Sequence, residues 1–238
     1  LHAFDAAEIA GNKVLVKDLP DGTVFTSLDE KERKLTATDL MICDAQSNPM
    51  CIGGVFGGLT SGVKNTTSQI FLESACFDAI GIRKTSVHHE LRTDAATRFE
   101  KGVDISNTVH VLKRAALLIK EVAGGTISSE VVDVYTSPKE KTQVAIKYHY
   151  LKKLSGKNYH PDAVKRILTS LGFEVLKEGM DELRIAVPYN KPDISLPADI
   201  VEEVLRIDGL DNIEIPTSIT ISPAIDEIGI KEKLKEKI

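Results

Sequence analysis

The sequence predicts an α+β fold in two units, on three observations. Short strand-like runs separated by turn residues fill the first third of the chain. The period then shifts to helical spacing. Beyond a polar, Pro-containing stretch at 137–142 (SPKEKT), a second set of strand and helix signals begins. With 238 residues, two domains are the natural division, and we place them at 1–140 and 141–220, with 221–238 leading toward a further domain.

In the first unit, KVLVK alternates β-branched and polar residues from Lys13, Pro20 to Gly22 signal a turn, and TVFTSL and LMICD read as two more strands. A buried strand is expected over 52–55, running into the glycine-rich GGVFGG (53–58). Another is expected over 69–72, placing Glu73 at or just past its end. Short helices are expected over 77–89 and 95–103. A longer amphipathic one is expected over 106–122, with Val109, Leu112, Ala116, Ile119 and Ala123 on one face and Gly124-Gly125 as the stop. VVDVY (131–135) reads as a strand. The second unit begins with VAIKYHYL, and a helix follows over 161–171, started by His160 or Ser155 and ended by Gly172. FEVLKEGMDELRIAVP reads as a hairpin turning near Glu178-Gly179, and the stretch from Asp193 to Ile213 carries a last helix with a Gly exit.

Composition narrows the function classes. Hydrophobic content of 42% and charged content of 27% suit a globular chain with a core, and no apolar run approaches the roughly 20 residues of a membrane span. Cys43, Cys51 and Cys76 are odd in number and lack close metal-type spacing, so they read as free thiols in a reducing cytosol. A net charge of −5 gives no whole-chain attraction for polyphosphate, so RNA contact must rest on local patches. The first residue is Leu and the last stretch is IKEKLKEKI, and both ends read as cuts from a longer polypeptide.

Three constellations stand out. The glycines of 53–58 permit positive φ and close backbone approach, which serves a small-molecule pocket or merely a tight turn; they form neither a Walker nor a Rossmann fingerprint. Glu73 follows an apolar run and precedes Ser74 and Ala75. It is either a structural strand end or a pocket-wall carboxylate able to accept from a substrate hydroxyl. Asp193 precedes the last helix, where Asp199, Glu202 and Glu203 fall at i, i+3 and i+4. They form either a solvated first turn favoured by the helix dipole or an oxygen cluster suited to Mg²⁺.

Taken together, LHAFD (1–5), GGVFGG (53–58), FLESA (71–75) and LRTDAATRFEKGVD (91–104) resemble, in order and spacing, the B3/B4 region of bacterial phenylalanyl-tRNA synthetase beta subunits. NKPDISLPADIVEEVLRIDGLDNI resembles the B5 domain of the same family. The resemblance implies a mixed-sheet editing domain that hydrolyses tyrosine misattached to the phenylalanine tRNA, followed by a small α+β domain like helical DNA-binding domains. It places catalytic roles on His2 and Glu73. Substrate-binding roles fall on Gly54, Gly57, Glu73, Thr93 and Ala95, with Thr93 and Ala95 setting the pocket's size. It implies a Mg²⁺ site, shared with the alpha subunit, on Asp193, Asp199, Glu202 and Glu203. Here Lys191-Pro192 stands where the family has an arginine. It also implies a cytoplasmic enzyme of two alpha and two beta subunits that joins phenylalanine to tRNA with ATP, which the alpha subunit uses and this chain does not bind. Since no Ser-His-Asp, Cys-His or zinc arrangement is evident, we expect a water nucleophile positioned by His2. A free-standing editing module and an inactive scaffold are the alternative readings. Ten Lys/Arg against twelve Asp/Glu over 143–220 leave the second unit without a basic footprint, so packing against the alpha subunit is its expected role.

Overall fold

The computed structural model describes residues 1–214, together with 234 and 235. The expected segment 221–238 and the end of the second unit, 215–220, therefore lie almost wholly outside the described residues.

Antiparallel pairing organises the first unit. β2 (Leu15–Asp18), β5 (Leu40–Cys43), β6 (Pro49–Ile52) and β7 (Phe56–Gly57) form a four-stranded sheet in that order. β3 (Val24–Thr26) and β4 (Glu32–Lys34) make a separate pair, and β1 (His2–Asp5) pairs with β8 (Ile70–Glu73). The apolar residues of β5 and β6 are buried almost throughout, with Met41 and Ile52 fully enclosed. They feed two cores. One gathers Phe25, Leu35, Met41, Ile52 and Val55 against Ile82, Leu91 and Ala96, and the other gathers Phe4, Ile9, Ile42, Met50 and Cys51.

Helices follow, and α1 and α2 contribute to the core of this sheet system. α1 (Ala79–His88) starts at Asp78, whose carboxylate accepts from the Gly81 N–H at 2.7 Å, a normal N-cap. Its C-terminal end is fixed by a buried pair, His89 Nε2 to Asp39 Oδ2 at 2.7 Å, with Thr85 donating to the other Asp39 oxygen. α2 (Asp94–Glu100) is capped by Thr93, and α3 (Thr108–Ala123) ends where Gly124 turns left-handed at φ 68°. No residue of α3 is fully buried: Val109, Leu112, Ala116 and Ile119 are half-covered and Ala123 is exposed. The strand expected at 131–135 is not formed. Val132 and Val134 are 83% and 79% exposed, and among the described residues that segment pairs with no strand.

The second unit has one core. β9 (Gln143–Lys147), β10 (Glu174–Glu178) and β11 (Glu182–Ala186) form an antiparallel sheet with β11 central. α4 (Tyr148–Ser155), α5 (Pro161–Ser170) and α6 (Pro197–Asp208) pack on it around Ile146, Leu168, Phe173, Ile185 and Ile200. VAIKYHYL divides at Lys147: β9 ends there, and the chain turns helical at Tyr148 and stops at Gly156, φ 75°. Of the two starting residues considered for α5, His160 is the one used, accepting from Asp162 N at 3.3 Å, whereas Ser155 closes α4. The α+β class holds in both units, and every strand pair described is antiparallel.

Candidate functional site

The β1–β8 register sets the site. His2 lies opposite Glu73, Ala3 opposite Leu72 and Phe4 opposite Phe71. Residues paired in this way point to the same face with Cβ atoms about 5 Å apart. Phe4, fully buried and stacked on the His2 ring at 4.2 Å, anchors β1. Asp5 continues the anchoring, accepting from Thr67 Oγ1 at 2.6 Å and Ala7 N at 3.1 Å.

Glu73 is the exceptional group. Its Oε2 is buried with no hydrogen-bond partner. Burial pushes its pKa up to about 7. Burial lowers the pKa of His2, so its imidazole is neutral near pH 7.

Beneath the pair lies Cys51, 2% exposed. Its Sγ is 3.9 Å from His2 Nδ1 and 3.3 Å from the carbonyl oxygens of Ile52 and Phe56. Burial and the charge of Glu73 push its thiol far above the usual range, so it is not a nucleophile here. The chain's pattern singled out no role for Cys51; its neighbours come from pairings distant in sequence, and only the fold reveals them.

Glycine does different work at the two expected pocket positions. A Cβ at Gly57 would stand 2.9 Å from His2 Cε1 and 2.9 Å from Leu28 Cδ1, so glycine there lets the imidazole lie against the backbone. A Cβ at Gly54 would meet Phe77 Cδ2 at 2.6 Å and Ile82 Cδ1 at 2.8 Å. With φ at +68°, that position is a tight turn filled from the core side. Thr93 ties this turn to α2: its Oγ1 donates to Val55 O at 2.7 Å and accepts from Ala96 N at 3.1 Å. Ala95 is exposed on the first turn of α2, while its neighbour Ala96 is the one packed in the core. The structure thus brings His2, Glu73 and Gly57 together, uses Gly54 and Thr93 to hold the adjoining turn, and leaves Ala95 open to solvent.

The acids of the second unit are arranged differently. Asp199 accepts from the N–H groups of Ser195 (2.8 Å) and Leu196 (2.7 Å), closing the start of α6, where Pro197 occupies the first turn. Glu203 receives Lys191 Nζ at 2.5 Å and the Arg206 guanidinium at 2.7 Å on the same oxygen. Asp193 and Glu202 are exposed. Among the described residues no three His, Cys, Asp or Glu side chains are grouped to hold a metal ion. The four acids do not fit a Mg²⁺ cage in this arrangement, because Asp199 caps a helix and Glu203 is already neutralised by protein cations. The Mg²⁺ site expected from the sequence is therefore not formed by this chain's own side chains as they stand. Among the described residues no helix is long and apolar enough to cross a membrane.

The B3/4 domain family model matches residues 1–124 and the tRNA synthetase B5 domain model matches residues 144–210. The chain belongs to the B3/4 domain family and carries a B5 domain after it. It is similar to the phenylalanine–tRNA ligase beta subunit of Bacteroides thetaiotaomicron, 47% identical over 222 residues, covering 93% of this chain and 27% of that protein. The beta subunit of Porphyromonas gingivalis is 42% identical with the same coverage, and that of Salinibacter ruber 38% over 237 residues, covering 100% of this chain and 28% of that one. The chain thus spans little more than a quarter of these relatives' length. A solved N-terminal fragment of the phenylalanyl-tRNA synthetase beta subunit from Pyrococcus horikoshii aligns with a TM-score of 0.43 at 14% identity, covering 86% of this chain and 58% of that one.

Proposed function

We propose that this chain is an internal part of the beta subunit of a phenylalanine–tRNA ligase, and that its first unit, 1–140, hydrolyses tyrosine misattached to the phenylalanine tRNA. The observation that carries this reading is the buried, unpartnered Oε2 of Glu73 opposite His2. Phenylalanine and tyrosine differ by one hydroxyl. A desolvated carboxylate lacking a partner gains a hydrogen bond from the tyrosyl phenol and gains nothing from phenylalanine, which is the sense of discrimination that editing requires.

The chemistry proposed is attack by water on the ester between the tyrosyl carbonyl and the terminal ribose. Neutral His2 orients that water and takes its proton, with part of the transfer borne by the substrate's own hydroxyl groups. The Gly57 backbone keeps the imidazole in place, and Gly54 and Thr93 hold the neighbouring turn. The exposed first turn of α2, with Ala95, forms the open side of the pocket. The second unit, 141–220, packs against the alpha subunit in a cytoplasmic assembly of two alpha and two beta subunits. That assembly, not this chain, uses ATP to charge the tRNA.

The test is hydrolysis of tyrosyl-tRNA for phenylalanine by the full two-subunit enzyme, comparing wild type with Glu73→Ala and Ala95→Trp. We expect wild type to clear the ester and both variants to lose at least ~100-fold in rate with aminoacylation intact. Normal editing by both variants would make Glu73 and Ala95 structural and refute the assignment.

A further inference from the structure

A second surface borders the editing site and has no part in the chemistry above. The outer face of α1 forms an open groove of about 640 Å³, lined by Ile80, Arg83, Lys84, Val87 and His88, with Glu100 of α2 at its margin. Ile80 and Val87 are 66% and 54% exposed, one on each side of the Arg83–Lys84 pair along the helix. Residues 79–89 contain no acid at all in a chain of net charge −5. The one acid at the groove, Glu100, is already paired with Arg92 at 3.3 Å. Among the described residues neither Arg83 nor Lys84 has a carboxylate partner. From Ala79 to Lys101 there are five Lys/Arg against three Asp/Glu, so the local charge is opposite in sign to that of the whole chain.

The groove adjoins the site. Ile82, on the inner face of α1, packs against the Gly54 turn. Even a fully extended link from Glu73 to Ala79 spans only about 21 Å. A protein partner's hot spot favours a groove centre depleted of charge. Two exposed, unpaired cations at the centre, with apolar side chains alongside, instead match a chain of phosphates and sugars.

We infer that the α1 groove, centred on Arg83 and Lys84, seats the sugar–phosphate backbone of the RNA whose 3′-terminal ester is hydrolysed at His2 and Glu73. This rests on the editing reading above. It explains how a net-acidic chain holds a polyanionic substrate, since attraction is concentrated on one helix face beside the pocket.

The experiment compares two substrates on the full two-subunit enzyme: tyrosyl-tRNA for phenylalanine, and the tyrosyl ester of adenosine, which lacks the phosphate chain. The variants are Arg83→Glu/Lys84→Glu and the milder Arg83→Gln/Lys84→Gln, all at exposed positions whose side chains make no hydrogen bond or ion pair among the described residues. For the reversed pair we expect KM for tyrosyl-tRNA to rise about tenfold at unchanged kcat. The slope of log(kcat/KM) against log salt should fall by ~1.5. Hydrolysis of the adenosine ester should be unchanged, and the Gln pair should fall between. Unchanged KM and salt slope for tyrosyl-tRNA would overturn the inference while leaving the editing site standing. Equal losses on both substrates, or loss of alpha-subunit association by size-exclusion, would also overturn it, making the face structural or a protein-docking surface. A wild type inactive on the adenosine ester and on tyrosyl-tRNA alike would overturn the editing reading and this inference together.

Discussion

Glu73 in the first unit and Glu203 in the second are both acids at the border of a core, yet their surroundings differ in every respect that matters. Glu73 has a buried oxygen without a partner and a pKa raised to about 7 by burial. Glu203 is also partly desolvated, but Arg206 and Lys191 on its carboxylate more than offset that and hold its pKa below the usual range. An acid with cationic donors on both oxygens does fixed structural work, whereas one with a buried oxygen left without a donor has capacity for a ligand. Sequence spacing alone marks the second cluster as the more conspicuous. The geometry marks the first as the one prepared to bind.

Four measurements break or sharpen that contrast. The largest effect is expected from Glu73→Gln on stability. The folded pKa is raised, so the native state binds the proton more tightly than the unfolded chain. Stability is full below about pH 4.5 and is lost as pH rises toward 7. Gln cannot ionise, so the variant should match wild type at pH 4 and exceed it above pH 7 by at most on the order of 3 kcal/mol in denaturant titrations. Equal stabilities at pH 8 would mean Glu73 is not desolvated. Next, Gly57→Ala must push His2 or Leu28 aside, and we expect tyrosyl-tRNA hydrolysis to fall ~10-fold while aminoacylation holds. No change there would detach His2 from the reaction. In the second unit, Lys191→Ala leaves Glu203 with Arg206 alone. It should lower stability by about 1 kcal/mol in thermal melts, a modest loss because the pair is partly solvated. The smallest effect is on metal dependence: adding Mg²⁺ or EDTA to this chain should shift its Tm by less than ~1 °C. A clear Mg²⁺-dependent rise would show that the cations on Glu203 give way to the metal.

Much of the fold was legible. β2, β3 and β5 follow from alternation, the β10–β11 hairpin from its Glu178-Gly179 turn, and α6 from a Pro start and Gly exit. Misreadings came where local preference and partner disagree. The aromatic residues of YHYL suit a strand, and the segment instead forms α4, whose Leu151 is buried in the second unit's core. VVDVY has strand composition, yet among the described residues it pairs with no strand and stays exposed. The site was half legible. Glu73 stands out because a charged residue closes an apolar run. The position of His2 opposite it, and of Cys51 beneath, depends on a register between segments far apart in sequence that no local pattern encodes. Ala95 and Ala96 look interchangeable in the sequence, and only helix phase tells which one faces the core.

That register has a thermal consequence. His2 and Glu73 are neighbours only while two four-residue strands remain paired, and such a short ribbon opens at a lower free energy than the sheet behind it. Fraying of β1 would dissolve the site and draw Phe4 out of the smaller first-unit core, leaving the core around Met41 and Ile52 in place. On heating, hydrolytic competence should therefore disappear below the global transition and return on cooling, with amide exchange at His2 to Phe4 reporting the loss first.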